Sequence, residues 1–320
     1  MLNLDRVTLC CIDCVNHELA LAAIGQCLQK CTFARVLFVT DTAPVLEGID
    51  VVRIAPLVSR EDYSQFVIKE LVHHLDTEFV LLMQWDGFVI NAGAWNDAFL
   101  DHDYIGARWG WETDGHAVGN GGFSLRSRRL LEALADPHIA DYPTEDIAIC
   151  RTYRDYLESA HGIRFAPDAL ADEFAFEATY PKGLPFGFHG LFNFWLFFQA
   201  QDLAAFLKMA TRKILGSLQC MQLAKNLYEV KRNDEAAMVV RRILSAHPAH
   251  PEANALLARL THLSLAAQAP RPPLPGGPGT GAVGRNDHVP AAAGGATRPV
   301  MERSRRLEIA LLFAALPAPP

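Results

Sequence analysis

Four polar segments hold the side chains best suited to chemistry. They are Gln84-Trp85-Asp86-Gly87, the glycine-rich stretch 118–126, the acidic pair Glu145-Asp146 and the aromatic loop 186–190 around His189. Asp86 follows an apolar run, and Gly87 loosens the turn after it, so the carboxylate can point into a crevice while its backbone stays fixed. A divalent cation on a diphosphate prefers such an oxygen ligand. A turn in which Asp86 bonds to its own backbone explains these four residues equally well.

The other three segments each have a structural and a chemical interpretation. The glycines of 118–126 permit positive φ angles and close approach of a ligand, or they form a plain bulge. Glu145 and Asp146 open a predicted helix, where acidic groups complement the helix dipole, or one of them is a general base. His189 either packs among the aromatic residues or binds a metal ion.

Alternating strands and helices position these segments. The sequence predicts strands at 7–12, 34–40, 51–54, 78–83, 104–107, within 118–126 and at 163–166, and helices at 17–30, 59–75 and 144–160; it predicts a loop at 185–190. Ser59 is the expected N-cap of the second helix. Alternation of this kind predicts an α/β domain over residues 1–205 with a mainly parallel sheet. Ligands bind beyond the carboxyl ends of such strands, where Asp86 stands.

The sequence changes character after residue 205. Residues 206–264 resemble a tetratricopeptide repeat, with a helix pair, a turn containing proline and the start of another helix. Such units need roughly three repeats to be stable alone, so this segment is expected to pack on the main domain or to belong to a longer array. Residues 265–300 are rich in Pro, Gly and Ala and are predicted to be disordered. Residues 301–320 form a tail that can hold a short helix.

Composition excludes some functions. The 320 residues are 50% hydrophobic and carry a net charge of −7, without a dense Lys/Arg stripe, which argues against nucleic acid as a partner. The most apolar stretch is too short to span a bilayer, and the N-terminus lacks the features of a signal peptide, so we expect a cytoplasmic protein without a transmembrane segment. Cys11 and Cys14 form a CxxC, but no second pair completes a zinc site, and we expect reduced cysteines that pack as small apolar residues.

The order and spacing of the polar segments resemble those of glycosyltransferases of the GT-A fold, and most closely an uncharacterised, largely bacterial family within that group. The shared motifs are QWDGF, the stretch 95–107, VGNGGFSLRS, TEDIAIC, GIRFAP and PFGFHG. The match covers roughly residues 5–200. The resemblance implies a Rossmann-like α/β domain that transfers a sugar from a nucleotide-sugar donor to a saccharide or another hydroxyl acceptor.

The resemblance also implies roles for single residues. Asp86 matches the second Asp of a strand-end Asp-x-Asp that binds the donor through a divalent metal ion, usually Mn²⁺ or Mg²⁺, and His189 completes the metal site. Gln84 replaces the first Asp and is a poor ligand for a hard cation. Asp146, with Glu145 as second choice, is the implied base of an inverting displacement. The implied donor- and sugar-binding residues are Gln84, Trp85, Asp86, Asn120, Gly121, Gly122 and Phe123. Trp85, Trp109 and Trp111 are candidates for stacking on sugar rings or for buried packing.

Two other functions stay open. One is a non-catalytic scaffold that binds a sugar nucleotide, or holds a protein partner through its helical segment, and has lost catalysis with the first Asp. The other is a glycoside hydrolase, which needs two carboxylates across a sugar. Retention of both Asp146 and His189 favours the transferase, because a scaffold needs neither.

Overall fold

A mixed α/β sheet forms the centre of the computed structural model, which describes residues 1–179 and 183–268. The strands are β1 (Leu2–Ile12), β2 (Cys31–Thr40), β3 (Asp50–Arg53), β4 (Phe79–Met83), β5 (Phe88–Val89), β6 (Tyr104–Gly106), β7 (Phe123–Ser127), β8 (Ala175–Phe176) and β9 (Gly187–Phe188). The main sheet has the order β3-β2-β1-β4-β7-β6. Its first four strands in this order are parallel, whereas β7 runs antiparallel to β4 and β6. The parallel-rich α/β sheet is the one expected from the sequence.

Strand β4 and the second half of β1 are almost wholly apolar because both faces of the sheet are covered there. Every residue of β4 is buried, and so are the last six of β1. Cys10 and Cys11 lie in this part of β1 and are unpaired. Burial raises the pKa of the Cys10 thiol to about 12, which keeps it protonated and unreactive.

The helices of the main domain are α1 (His17–Leu28), α2 (Arg60–Gln65), α3 (Arg128–Leu134), α4 (Glu145–Ile147), α5 (Arg154–His161) and α6 (Asp168–Phe174). Ser59 caps α2 as predicted: its Oγ accepts the N–H of Asp62 at 3.0 Å, and the Asp62 carboxylate accepts the N–H of Ser59 at 3.0 Å. The helix then widens into a π-helical turn, Phe66–Glu70, and tightens into a 3₁₀ turn, Leu71–His74.

Three elements differ from the sequence predictions. The helix predicted over 144–160 is interrupted at Tyr153, whose hydroxyl accepts the amide N–H groups of Ala140 and Asp141 and so ties the chain to a neighbouring loop. The strand predicted at 163–166 is reduced to one parallel bridge between Phe165 and Tyr104. The loop predicted at 185–190 contains β9, which pairs with β5 and β8 in a small second sheet.

The C-terminal helices are α7 (Ala200–Met209), α8 (Arg212–Leu215), α9 (Leu218–Glu229), α10 (Asn233–Ala246) and α11 (Pro251–Gln268). They pack on the main domain: Asn226 Nδ2 donates to the carbonyl of Phe192 at 2.9 Å, and Arg232 donates to the carbonyls of Trp195 and Phe198 at 2.7 and 2.8 Å. The expected boundary at residue 205 falls inside α7. The tetratricopeptide assignment stays a prediction.

The predicted linker at 265–300 and the predicted tail lie outside the described residues, apart from the end of α11. Within residues 1–179 and 183–268, no helix combines the length and the apolar character that crossing a bilayer requires.

Candidate functional site

A pocket of about 440 Å³ opens at the carboxyl ends of β1 and β4. Its volume lies in the range of ligand sites, about 300–1,000 Å³. The turn after β1 contributes Asp13 and Asn16, and the turn after β4 contributes Gln84 and Trp85. The glycine-rich segment, α2, α4 and the first turn of α9 complete the wall. The pocket therefore lies where an α/β sheet places its ligand, as the sequence predicted for Asp86.

The structure gathers most of the predicted site residues around this pocket. Those in its wall are Gln84, Trp85, Asn120, Gly121, Gly122, Glu145, Asp146 and His189. Asp86 is not among the described residues of the wall. Its Oδ1 lies 3.2 Å from Nε2 of His189, which is a wall residue. Phe123 lies elsewhere: its side chain is fully buried in the core, with its ring 5.4 Å from that of Phe174. Phe123 therefore packs the core and does not face the pocket.

His189 is the centre of a polar cluster. Its Nδ1 lies 2.8 Å from Glu177 Oε1, and its Nε2 lies 3.2 Å from Asp86 Oδ1 and 3.3 Å from Gln84 Oε1. The side-chain amide of Asn120 is 3.2 Å from Nδ1. Burial alone would lower the pKa of His189, but Asp86 and Glu177 outweigh it and raise this pKa to about 10. The two carboxylates thus favour positive charge at this point, which a proton on the ring or a bound cation can supply.

Asp86 is fixed by the loop after β9 and not by its own turn. Its Oδ2 accepts the N–H of Leu191 at 3.2 Å, and its carbonyl accepts the N–H of Gly190 at 3.0 Å. Gly87 is required next to it, since a Cβ there would lie 2.9 Å from the carbonyl oxygen of Phe188. The alternative in which Asp86 serves a local Asx turn is therefore not the arrangement found.

The donor atoms around His189 Nε2 fit a divalent cation. Asp86 Oδ1 is buried and, among the described residues, makes no hydrogen bond of good geometry, only the ion-pair contact with His189. It lies 3.2 Å from Nε2, and Gln84 Oε1 lies 3.3 Å from Nε2. Ligands at about 2.1 Å from one ion stand roughly 3 Å apart when they are neighbours in an octahedron. Gly122 lets the imidazole ring lie against the backbone, because a Cβ at this position would collide with Nε2.

The glycine-rich segment works differently from the sequence expectation. Its residue with positive φ is Asn120, at 61°, and not a glycine; Asn adopts this left-handed conformation more readily than most residues. Gly119, Gly121 and Gly122 are needed for another reason: a Cβ on them would strike Trp109, Glu145 and His189 in turn. Each glycine lets one side chain of the site lie directly on the backbone.

The two adjacent carboxylates occupy different environments. Glu145 is buried and accepts from Arg126 Nη2 at 2.9 and 3.1 Å, and Arg126 is itself fully buried. Burial raises the pKa of Glu145 to about 7, although Arg126 opposes this shift. Asp146 is partly exposed; its Oδ1 accepts the N–H of Ile147 at 2.8 Å and its Oδ2 the N–H of Gly121 at 3.4 Å. Asp146 is therefore the more accessible of the two.

Three tryptophans line the pocket. Trp85 stacks on Phe206 of α7, with ring centroids 6.2 Å apart, and its indole N–H is buried without a hydrogen-bond partner among the described residues. Trp109 is buried, and its ring lies 6.5 Å from that of Trp111, which is 39% exposed at the mouth. Trp85 and Trp109 chiefly pack, whereas Trp111 is exposed at the mouth, where a ligand can reach it.

Several wall residues escaped the sequence analysis. Asp13 stands directly after β1, as Asp86 stands after β4, so the same strand-end rule would have found it. Arg126, which lies behind the wall and holds Glu145, was visible as a charge in the strand that follows the glycine-rich segment. Glu177 follows a strand of two residues, and Gln219 begins a helix far along the chain; neither carries a local signal.

Comparisons with known proteins give distant likenesses. A family model described as "Protein of unknown function (DUF5672)" matches residues 48–189. No curated protein matches significantly. The chain is similar to the apo-form glycosyltransferase GlyE of Streptococcus pneumoniae TIGR4, at 12% identity and a TM-score of 0.32, over 57% of this chain and 54% of that one. It therefore spans about half of the length of GlyE.

The chain is also similar to S. aureus TarS 1-349 in complex with UDP-GlcNAc, at 12% identity and a TM-score of 0.33, over 83% of this chain and 93% of that one. Both structural likenesses are too distant to assign an activity. Function has to be inferred from the pocket itself.

Proposed function

We propose that the protein is a metal-dependent, inverting glycosyltransferase that moves a sugar from a nucleotide-sugar donor to a hydroxyl acceptor. The observation that carries this proposal is the pocket beyond β1 and β4, whose wall contains both the cation-compatible face at His189 and the carboxylate of Asp146. A pocket with a charge-neutralising face and a base has the two functions that glycosyl transfer from a diphosphate requires.

Electrostatics favours a cation in this pocket. Asp13, Glu145, Asp146 and Glu177 line it, whereas the charge of Glu112 in the same wall is offset by Arg151. Arg60 is the one Lys or Arg residue among the described residues of the wall. A diphosphate would be repelled by this acidic wall unless a metal ion offset the charge. Asp86, His189 and Gln84 would hold the ion, which on binding would stabilise negative charge on the leaving diphosphate.

Asp146 is the proposed base. The oxygen of the acceptor hydroxyl attacks the anomeric carbon, its proton passes to Asp146, and the bond to the diphosphate breaks with its electron pair on the leaving oxygen. The N–H groups of Ile147 and Gly121 hold the carboxylate in place while it keeps lone pairs for the proton. Glu145 is tied to Arg126 and anchors the start of α4. Trp111 offers a face on which a sugar ring can stack.

A second candidate is the non-catalytic scaffold, and one observation favours it. A cavity of about 340 Å³ lies between α9 and α11, lined by Met221, Tyr228, Leu256, Lys225 and Arg259 among others. Such a groove suits a segment of a partner protein, as a helical-repeat scaffold would require.

Nucleotide release separates the two functions. Purified protein is incubated with a panel of UDP- and GDP-sugars and hydroxyl acceptors in Mn²⁺, and free UDP or GDP is measured. We expect release that stops in EDTA. Tight donor binding without release, across the whole panel, would contradict the transferase and support the scaffold.

A further inference from the structure

Glu177 is a buried carboxylate of the pocket wall to which neither the sequence motifs nor the mechanism above gives a role. It follows β8, and His189 follows β9 at the matching position, because Phe176 and Phe188 are partners in the parallel ladder. Glu177 and His189 are each 8% exposed. Asn193 Nδ2 donates to the carbonyl oxygens of both, at 2.9 and 2.8 Å. The two residues are thus fixed against each other by backbone pairing and by a shared side chain.

The contact of Glu177 with His189 has one chemical consequence. Its Oε1, 2.8 Å from Nδ1, accepts a hydrogen bond from the N–H group at that nitrogen. When Nδ1 carries the proton, Nε2 is the nitrogen with the free lone pair, and it faces Asp86 Oδ1 and Gln84 Oε1. A carboxylate on the far nitrogen is the usual way in which proteins fix the tautomer and orientation of a metal-binding histidine and raise its basicity.

We propose that Glu177 is a positioning residue that orients His189 and thereby sets the affinity of the protein for a divalent cation. This inference rests on the cation-dependent part of the proposed function. It goes beyond that part, because it assigns the control of affinity to a residue that would not touch the cation.

The test is direct titration of the full chain with Mn²⁺ alone, with free Mn²⁺ followed by electron paramagnetic resonance. The variants are Glu177→Ala, Glu177→Gln and Glu177→Asp. The matched control is Glu112→Gln, which removes a carboxylate of the same wall that pairs with Arg151 at 3.2 Å and leaves His189 untouched. Circular dichroism melting checks that each variant folds.

We expect affinity about 10- to 100-fold weaker in Glu177→Ala, the range typical for residues that orient a metal ligand. Glu177→Gln should fall between wild type and Glu177→Ala, since its amide oxygen accepts the same N–H without the charge. Glu177→Asp should be weak, because the shorter side chain keeps the charge but loses the contact. Glu112→Gln should stay close to wild type.

Unchanged affinity in Glu177→Ala overturns the inference, and so does an equal loss in Glu112→Gln, which would show a general charge effect. If Glu177→Ala does not fold, the Gln and Asp variants decide: wild-type affinity in both overturns it. Wild-type protein without Mn²⁺ binding overturns both this inference and the metal-dependent function. Binding that is lost in Asp86→Asn but kept in every Glu177 variant overturns this inference alone.

Discussion

At the scale of single residues, the pocket places two neighbouring carboxylates in different environments. Glu145 is buried against Arg126, whereas Asp146 is partly exposed and held by two backbone N–H groups. The sequence identified the pair as candidates, because two adjacent acidic residues stand at the start of a predicted helix. The resemblance implied Asp146 as the base and Glu145 as second choice, but the sequence could not show the different environments, because the partner of Glu145 lies in β7, nineteen residues earlier in the chain.

Replacing Asp146 with Asn should remove the base and keep the shape of the pocket. We expect the rate of sugar transfer to fall about 10²- to 10⁴-fold, the usual contribution of a general base, with donor affinity little changed. Asp141→Asn, an exposed change in the loop before α4, is the matched control. Steady-state kinetics with a saturating donor measures both. Full turnover in Asp146→Asn would contradict the assignment.

Glu145 should make stability depend on pH. Its pKa of about 7 in the folded protein exceeds the ordinary value of 4.5, so the folded state holds the proton more tightly than the unfolded state. The stabilising contribution is complete below pH 4.5 and is lost as the pH rises through 7. Urea unfolding between pH 4.5 and 8 should therefore show wild type losing stability relative to Glu145→Gln. The prediction is contradicted if the free energy of unfolding of wild type, minus that of Glu145→Gln, stays constant or increases as the pH rises.

At the scale of elements, the segment 119–122 is shaped by the side chains that rest on it. Asn120 supplies the left-handed turn, and the glycines beside it leave room for Trp109, Glu145 and His189. The segment is thus a platform that brings the carboxylate pair and the cation-compatible face to one pocket.

Gly122→Ala tests this platform. The added Cβ would occupy the space beside His189 Nε2, so we expect Mn²⁺ binding to be lost and the protein to be destabilised. Gly25→Ala in α1 is the control, because a Cβ there meets nothing within 4 Å and Ala favours a helix by about 0.5–1 kcal/mol. Titration with Mn²⁺ and thermal melting read out both variants. Wild-type Mn²⁺ affinity in Gly122→Ala would place the cation elsewhere.

The sequence predicted elements well where burial follows a local pattern. Strands β1, β2 and β4 were expected because runs of Val, Ile and Leu mark strands that are covered on both faces, and the edge strand β3 was expected from its short apolar run. The pair of β8 and β9 was missed because strands of two residues carry no periodicity. The break at Tyr153 was missed because the helical pattern continues through this residue, and its contact with Ala140 and Asp141 is not visible in the sequence. The position of Glu177 beside His189 depends on that missed pairing.

At the scale of the whole molecule, the C-terminal helices belong to the same body as the pocket. Trp85 of the wall stacks on Phe206 of α7, and Gln219 of α9 lines the pocket. Asn226 and Arg232 bind carbonyl groups of the segment after His189. The helices therefore support the site as well as offering a surface of their own.

Truncation tests whether helices α9 to α11 are needed for the stability of the pocket or only pack beside it. A chain ending at Gly216 loses α9 to α11, exposes apolar residues of the core such as Leu191 and Phe194, and should lose cooperative unfolding and Mn²⁺ binding together. A chain ending at Gln268 keeps all of the described contacts and should behave as the full chain. Thermal melting and Mn²⁺ titration compare the two. A stable 1–216 chain that binds Mn²⁺ would show that the helices are a separate module.

The central claim is that the pocket binds a nucleotide diphosphate through a divalent cation held at Asp86 and His189. Calorimetric titration with UDP and GDP, with Mn²⁺ or with EDTA, on wild type and Asp86→Asn tests it most directly. We predict binding of at least one nucleotide in Mn²⁺, which disappears in EDTA and in Asp86→Asn. Binding that is equal in Mn²⁺ and EDTA, or absent for both nucleotides, would contradict the claim.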